Sequence, residues 1–208
     1  MGQVMAKPER IVFEYGYGAR IASVFVALLM WALVLASLAG AVYLLVQGDA
    51  LAATIACAIG LVLAPLTIGH QHMMRLKHKW HLSLRPGHVM LVLPAHRAAH
   101  HKTEGFEGEI NYRSIKGICR RRETHSVLGL RMTVMAYWLE LQDGRMMLLG
   151  EDRNPGAHEN GRKTVVARAS EAVSRTSGLP LRRAEPANTD RRFFGLIGSG
   201  APSWTQDA

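Results

Sequence analysis

The rhythm of hydrophobic and polar positions along this 208-residue chain changes near residue 70. Upstream, Ile21 to Val46 is an uncharged, mostly apolar run of 26 residues. Gln47-Gly48-Asp49-Ala50 interrupts it, and Leu51 to Gly69 follows as a second uncharged run of 19. A spanning helix needs about 20 such residues. The pattern therefore predicts an N-terminal segment, 1–20, followed by a transmembrane helical hairpin, 21–46 and 51–69. A secretory signal has an apolar core of only about 7–15 residues and then a cleavage site. The first run is longer than that, and a second follows at once. A buried hairpin in a soluble protein is the other reading of the same pattern.

Beyond a polar stretch, 70–79, the pattern alternates with period two, the mark of half-buried strands. Trp80–Leu84 and His88–Leu93 flank the turn dipeptide Pro86-Gly87. A loop-like stretch, 95–108, leads to Glu109–Tyr112 and Ile115–Arg122. Arg131–Leu141 and Arg145–Leu149 flank Asp143-Gly144, a hairpin signal. Arg162–Ser177 then has Val165, Val166, Ala169, Ala172 and Val173 on one helical face, with Gly178 and Pro180 placed to stop it. The expectation is a membrane hairpin plus an α+β domain over 70–181. That domain is an antiparallel sheet or barrel closed by a C-terminal amphipathic helix. The tail, 182–208, reads as disordered.

Charge adds an orientation. Asp49 is the only charged residue in 21–69, whereas 70–181 carry 18 basic and 10 acidic side chains. Arg10 and Arg20 precede the first run, Arg75, Lys77, Lys79 and Arg85 follow the second, and the turn has no Lys or Arg. Basic flanks stay on the cytoplasmic side, so both termini are expected there, with the protein in the inner (plasma) membrane. No Asp, Glu, Lys, Arg or His lies inside either run, which disfavours a proton relay, channel or transporter. Small residues recur at four-residue spacing, Ala32, Ala36 and Gly40 in one run and Ala52, Ala56, Gly60 and Ala64 in the other. Such stripes suit close helix packing, within the hairpin or against a further membrane protein or second copy. Pro65 is expected to kink the second helix.

At this point the chain resembles the bacterial pleckstrin-homology-like membrane proteins. The resemblance rests on the hairpin Trp80–Leu93, on Ile115-Lys116-Gly117-Ile118 before a basic strand, and on Tyr137-Trp138-Leu139-Glu140-Leu141-Gln142-Asp143-Gly144-Arg145. The end of the terminal helix, Ser177-Gly178-Leu179-Pro180-Leu181, adds to it. It implies a short membrane hairpin ahead of a small β-domain, a binding or scaffolding role, and no catalytic residues.

The chemistry-bearing residues agree with a non-enzymatic reading that needs no cofactor. Nucleophile-elbow, phosphate-loop and dinucleotide fingerprints are missing. Cys57 and Cys119 offer no disulfide framework. Each basic group beside an anionic membrane contributes on the order of 1 kcal/mol. Arg75, Lys77, Lys79, Arg120, Arg121 and Arg122 are therefore candidates for binding lipid headgroups or an acidic partner. On a strand, Arg120 and Arg122 share a face and Arg121 points the other way. In the tail, Arg191, Arg192, Phe193 and Phe194 suit a membrane surface or a partner groove. Membrane lipids and a membrane-protein partner or second copy are the expected partners, and no nucleic-acid reading element is recognisable. The alternative is a metal-handling protein. Among ten histidines, His96, His100 and His101 cluster, and His96 and His100 would share a helix face able to hold zinc or copper.

Overall fold

The first described element is a strand, β1 (Ile11–Glu14); two long helices follow it, and the chain then returns to pair with it. This computed structural model describes residues 10–98, 101, 103–127, 130–153, 163–192 and 197–198. It divides into a helical unit, Tyr15–His78, and a β unit formed by the chain up to Glu14 and from Lys79 onward.

The helical unit is α1 (Tyr17–Val46) and α2 (Ala50–Lys79), joined at Gln47–Asp49. Asp49 accepts from the Ala52 amide and starts α2. Both helices are long and apolar enough to cross a membrane. Within their most apolar stretches only 11% and 17% of residues are buried. The core helix of a soluble domain hides most of its surface, so the buried soluble hairpin finds no support in this chain. α2 continues through Pro65 and beyond the apolar run. The polar stretch 70–79, assigned from sequence to the α+β domain, is helical because Gln71, Met73, Met74, Arg75, Leu76, Lys77 and Lys79 are good helix formers uninterrupted by Gly or Pro.

The helices face each other through a seam that repeats every three or four residues. On α1 it comprises Ser23, Ala27, Met30, Val34, Ser37, Ala41 and Leu44; on α2 Ala53, Ala56, Gly60, Leu63 and Thr67. This 3.5-residue period is that of left-handed helix pairs. At Gly60 an added Cβ would lie 2.9 Å from Leu38 Cδ2 and 3.5 Å from Ser37 Cβ. Of the two uses expected for the stripe on the first helix, packing within the hairpin is not the one its residues make. Ala32 and Ala36 are exposed, and nothing lies within 4 Å of a Cβ added at Gly40. Four-residue spacing drifts off a seam of period 3.5, and the bulkier Val34 and Met30 take the contact instead. On α2, Ala52, Ala56 and Ala64 are half-buried and Gly60 is buried.

In the β unit, β1, β2 (His81–Arg85), β3 (His88–Leu93) and β4 (Phe106–Asn111) form a four-stranded antiparallel sheet in chain order. Gly87, at φ 81°, closes the Pro86-Gly87 turn. A short 3₁₀ turn, Tyr112–Ser114, leads into the second sheet of β5 (Ile115–Val127), β6 (Leu130–Leu141) and β7 (Met146–Asp152). The helix α3 (Val165–Ser177) follows, capped by the Thr164 hydroxyl and ended by left-handed Gly178. Its Val166, Ala169, Ala172 and Val173 are buried, and it packs most closely on β7. The core holds Leu82, Leu91, Leu93, Ile118, Tyr137, Leu139 and Leu149, each at most 1% exposed.

Two expectations change here. Ile11–Glu14 is a strand, read from sequence only as part of an N-terminal segment. The tail is ordered through 192: β8 (Leu181–Arg183) and β9 (Ala187–Arg192) run parallel to β5 along its free edge, with β10 (Ile197–Gly198) beside β9. Main-chain bonds to an existing strand hold them, so they need no apolar alternation of their own. Residues 193–196 and 199–208 lie outside the described residues.

Candidate functional site

After a bulge between Ile115 and Gly117, β5 alternates strictly. Ile118 joins the core. Cys119, Arg121, Glu123 and His125 project from the opposite face, where an isolated sheet would be wet. They are nevertheless 5%, 5%, 0% and 3% exposed, because the β3–β4 loop covers them.

Arg97 fastens that loop. Its Nε donates to the Leu148 carbonyl at 2.6 Å, and its Nη1 to the Glu104 and Pro94 carbonyls at 2.7 and 3.2 Å. Burial lowers its pKa to about 10, which leaves it charged at neutral pH. The His96 amide donates to the Thr103 carbonyl at 2.9 Å, with His96 itself in a left-handed conformation at φ 55°. Fastened in this way, the loop lays Ala98 on Cys119, Ala136, Trp138 and Leu148. It also directs His101 at Glu123.

The result is a buried polar cluster. His101 Nε2 donates to Glu123 Oε2 at 2.6 Å, and His125 Nε2 stands 3.4 Å from the same oxygen. Arg121 occupies the other one, with Nε and Nη2 each 2.9 Å from Oε1. His125 Nδ1 shares a 2.7 Å hydrogen bond with Thr189 Oγ1 of β9. Trp138 holds His101 edge-on at 5.1 Å and lies 5.8 Å beneath the Arg121 guanidinium. Burial alone would raise the Glu123 pKa. Hydrogen bonds from His101 and His125, with the charges of His101 and Arg121, outweigh it and hold the carboxyl at about 2.

Chemically, this arrangement brings two imidazole nitrogens and one carboxylate oxygen within 4.8 Å of one another, a donor set that suits a borderline transition-metal ion. Of the histidines expected to cluster, His101 is in the group, His96 is exposed elsewhere on the loop, and His100 lies outside the described residues. Glu123 and His125 were missed. The available signal was the spacing Arg121-x-Glu123-x-His125, which puts three polar groups on one strand face.

The basic candidates disperse. Arg121 is removed from the binding surface, since its guanidinium is committed to Glu123 and Trp138 in the interior. Arg122 is exposed and Arg120 half-buried, with the opposite facing of Arg121 as expected. Arg75 and Lys79 are exposed, and Lys77 Nζ lies 6.0 Å above the Tyr15 ring. Arg191 and Arg192 end β9, while Phe193 and Phe194 fall outside the described residues. A separate open groove of about 500 Å³ runs from β4 to the β6–β7 hairpin, with Phe106, Ile110, Leu141 and Met147 along it. No protein-family model, curated protein or solved structure matches this chain.

Proposed function

We propose that this chain is an integral membrane protein of the inner (plasma) membrane. In this reading a two-helix anchor carries a pleckstrin-homology-like cytoplasmic domain that binds rather than catalyses. The domain would hold a protein partner, with anionic lipid headgroups as a second contact, in the assembly or regulation of a membrane complex. The observation that carries the reading is the exposed apolar surface of α1 and α2. Phe25, Leu28, Leu35, Leu45, Leu61 and Val62 are each more than 60% exposed, and a contiguous surface of this kind needs lipid or protein to cover it. Two further features support it. A β unit with a packed helix after most of its strands supports it, although β1 lies ahead of the helical pair and β8 and β9 follow the last helix. Arg122, Arg75 and Lys79 are exposed and Arg120 half-buried, which leaves them able to meet negative charge.

The test has two parts. In membranes, a lone cysteine at Gly48 (Gly48→Cys with Cys57→Ala and Cys119→Ala) should react with an impermeant maleimide from the outer side only. Release of the protein from membranes by alkaline carbonate would sink the anchor. Mild-detergent purification with mass spectrometry should then recover a reproducible protein partner, weakened by Arg120→Glu with Arg122→Glu. Recovery of the chain alone would count against scaffolding.

A further inference from the structure

We propose that His101, Glu123 and His125 bind one divalent transition-metal ion of the zinc class, which clamps the β3–β4 loop onto the outer face of β5. This assignment is independent of the membrane reading and uses a different residue set from the sequence cluster His96, His100 and His101.

Geometry carries it. Zinc bonds to imidazole nitrogen and carboxylate oxygen are about 2.0–2.2 Å, so donors around one ion stand about 3.3 Å apart. Glu123 Oε2 is 3.4 Å from His125 Nε2, already at that separation. It is 2.6 Å from His101 Nε2, a hydrogen-bond distance with a proton where the ion would sit. Opening that contact by about 0.7 Å admits the ion, and His101 stands on a loop rather than a strand. Glu123 and His125, two apart on β5, form the fixed side of the site.

The surrounding groups orient the donors as outer partners do in metal sites. Thr189 engages His125 Nδ1, which turns Nε2 toward Glu123. Arg121 occupies Glu123 Oε1 and leaves Oε2 to the inside. Trp138 fixes the His101 ring from its edge. Satisfying the carboxylate needs only Arg121 and one imidazole. A second imidazole converging on the same oxygen is what a metal ligand set requires. Among the described residues the group has three protein ligands, the number found where water completes the coordination.

The test uses full-length protein purified in mild detergent without a histidine tag. Elemental analysis should find about one equivalent of zinc. After chelation, Co²⁺ should restore it with visible d–d bands of a nitrogen- and oxygen-ligated low-symmetry site. His125→Gln should abolish stoichiometric binding, and His96→Ala should leave it intact. Thr189→Val, which keeps every ligand, should weaken Zn²⁺ binding about tenfold or more. Failure of the wild-type protein to bind Zn²⁺ or Co²⁺ one to one overturns the proposal and leaves a proton-bridged ion-pair network. Binding that survives His125→Gln, or is lost in His96→Ala, overturns it in favour of surface histidines. Should His125→Gln fail to fold, the wild-type Co²⁺ spectrum and the Thr189→Val affinity decide.

Discussion

Glu123 is fully buried, with His101, Arg121 and His125 around its carboxyl. Its carboxyl is held at about 2 from an ordinary 4.5, so it is ionised in the folded protein where the unfolded chain would already be protonated. The unfolded state therefore binds more protons between those values, and stability must rise with pH across that window. The contribution is complete above about pH 5 and is lost as pH falls toward 2, on the order of 3 kcal/mol for a shift of this size. Glu123→Gln should be less stable than wild type at pH 7, and the gap in Tm should narrow as pH drops from 5 to 2.5. A gap that stays constant would mean that the carboxylate is not held in this way. Arg121→Met is the sharper lesion, because it strands a buried charge. A loss of about 3–5 kcal/mol is expected at neutral pH, read by thermal unfolding. Which strand face Arg121 takes was legible from period two alone. That the face is covered was not, since the cover comes from a loop tied down by one arginine 24 residues earlier. Loops of mixed polarity carry no periodic signal of where they fold back.

At the scale of elements, local patterns were the legible ones. The turns at Pro86-Gly87 and Asp143-Gly144, the strand over 131–141 and the helix ending at Gly178 stand as their residues imply. Elements held by non-local main-chain pairing were not legible: β1 is four residues long, and β8 and β9 lie parallel on the far edge of β5. The α1 stripe lies off the hairpin seam for a different reason. Small residues mark where backbones can approach, but period 3.5 decides which of them do, and only the α2 stripe includes Gly60 at the contact. Two close approaches make this testable. At Gly150 on β7 an added Cβ would lie 3.0 Å from Val166 Cγ2 of α3. Gly150→Val should push the closing helix away and cost about 1–3 kcal/mol, seen as a lower Tm with unchanged membrane association. Gly60→Ile should separate α1 from α2, whereas Ala32→Ile and Ala36→Ile, on exposed positions, should not. Cysteine crosslinking between Ser37 and Gly60 neighbours would report the difference, and equal effects at all three sites would contradict the seam.

For the whole molecule, the helical unit is an insertion within a sheet. Glu14 pairs with His81, so the chain leaves and re-enters the β unit at adjacent strands. In the membrane reading this ties topology to folding. Deleting α2 alone would put β1 and β2 on opposite sides, and the β unit should then become protease-sensitive. Deleting both helices and joining β1 to β2 with a short turn should preserve its protease resistance. Resistance in the first case would refute the two-crossing anchor.

That insertion also sets an order of manufacture. A ribosome delivers β1 first and its partner β2 only after more than sixty further residues have emerged. Until then β1 is a short strand without a sheet, unable to hold together on its own. Completion of the sheet thus waits on the hairpin and, if the hairpin crosses a bilayer twice, acts as a proofreading step. A chain threaded once too few or once too many cannot close its first sheet and would be left open to proteolysis.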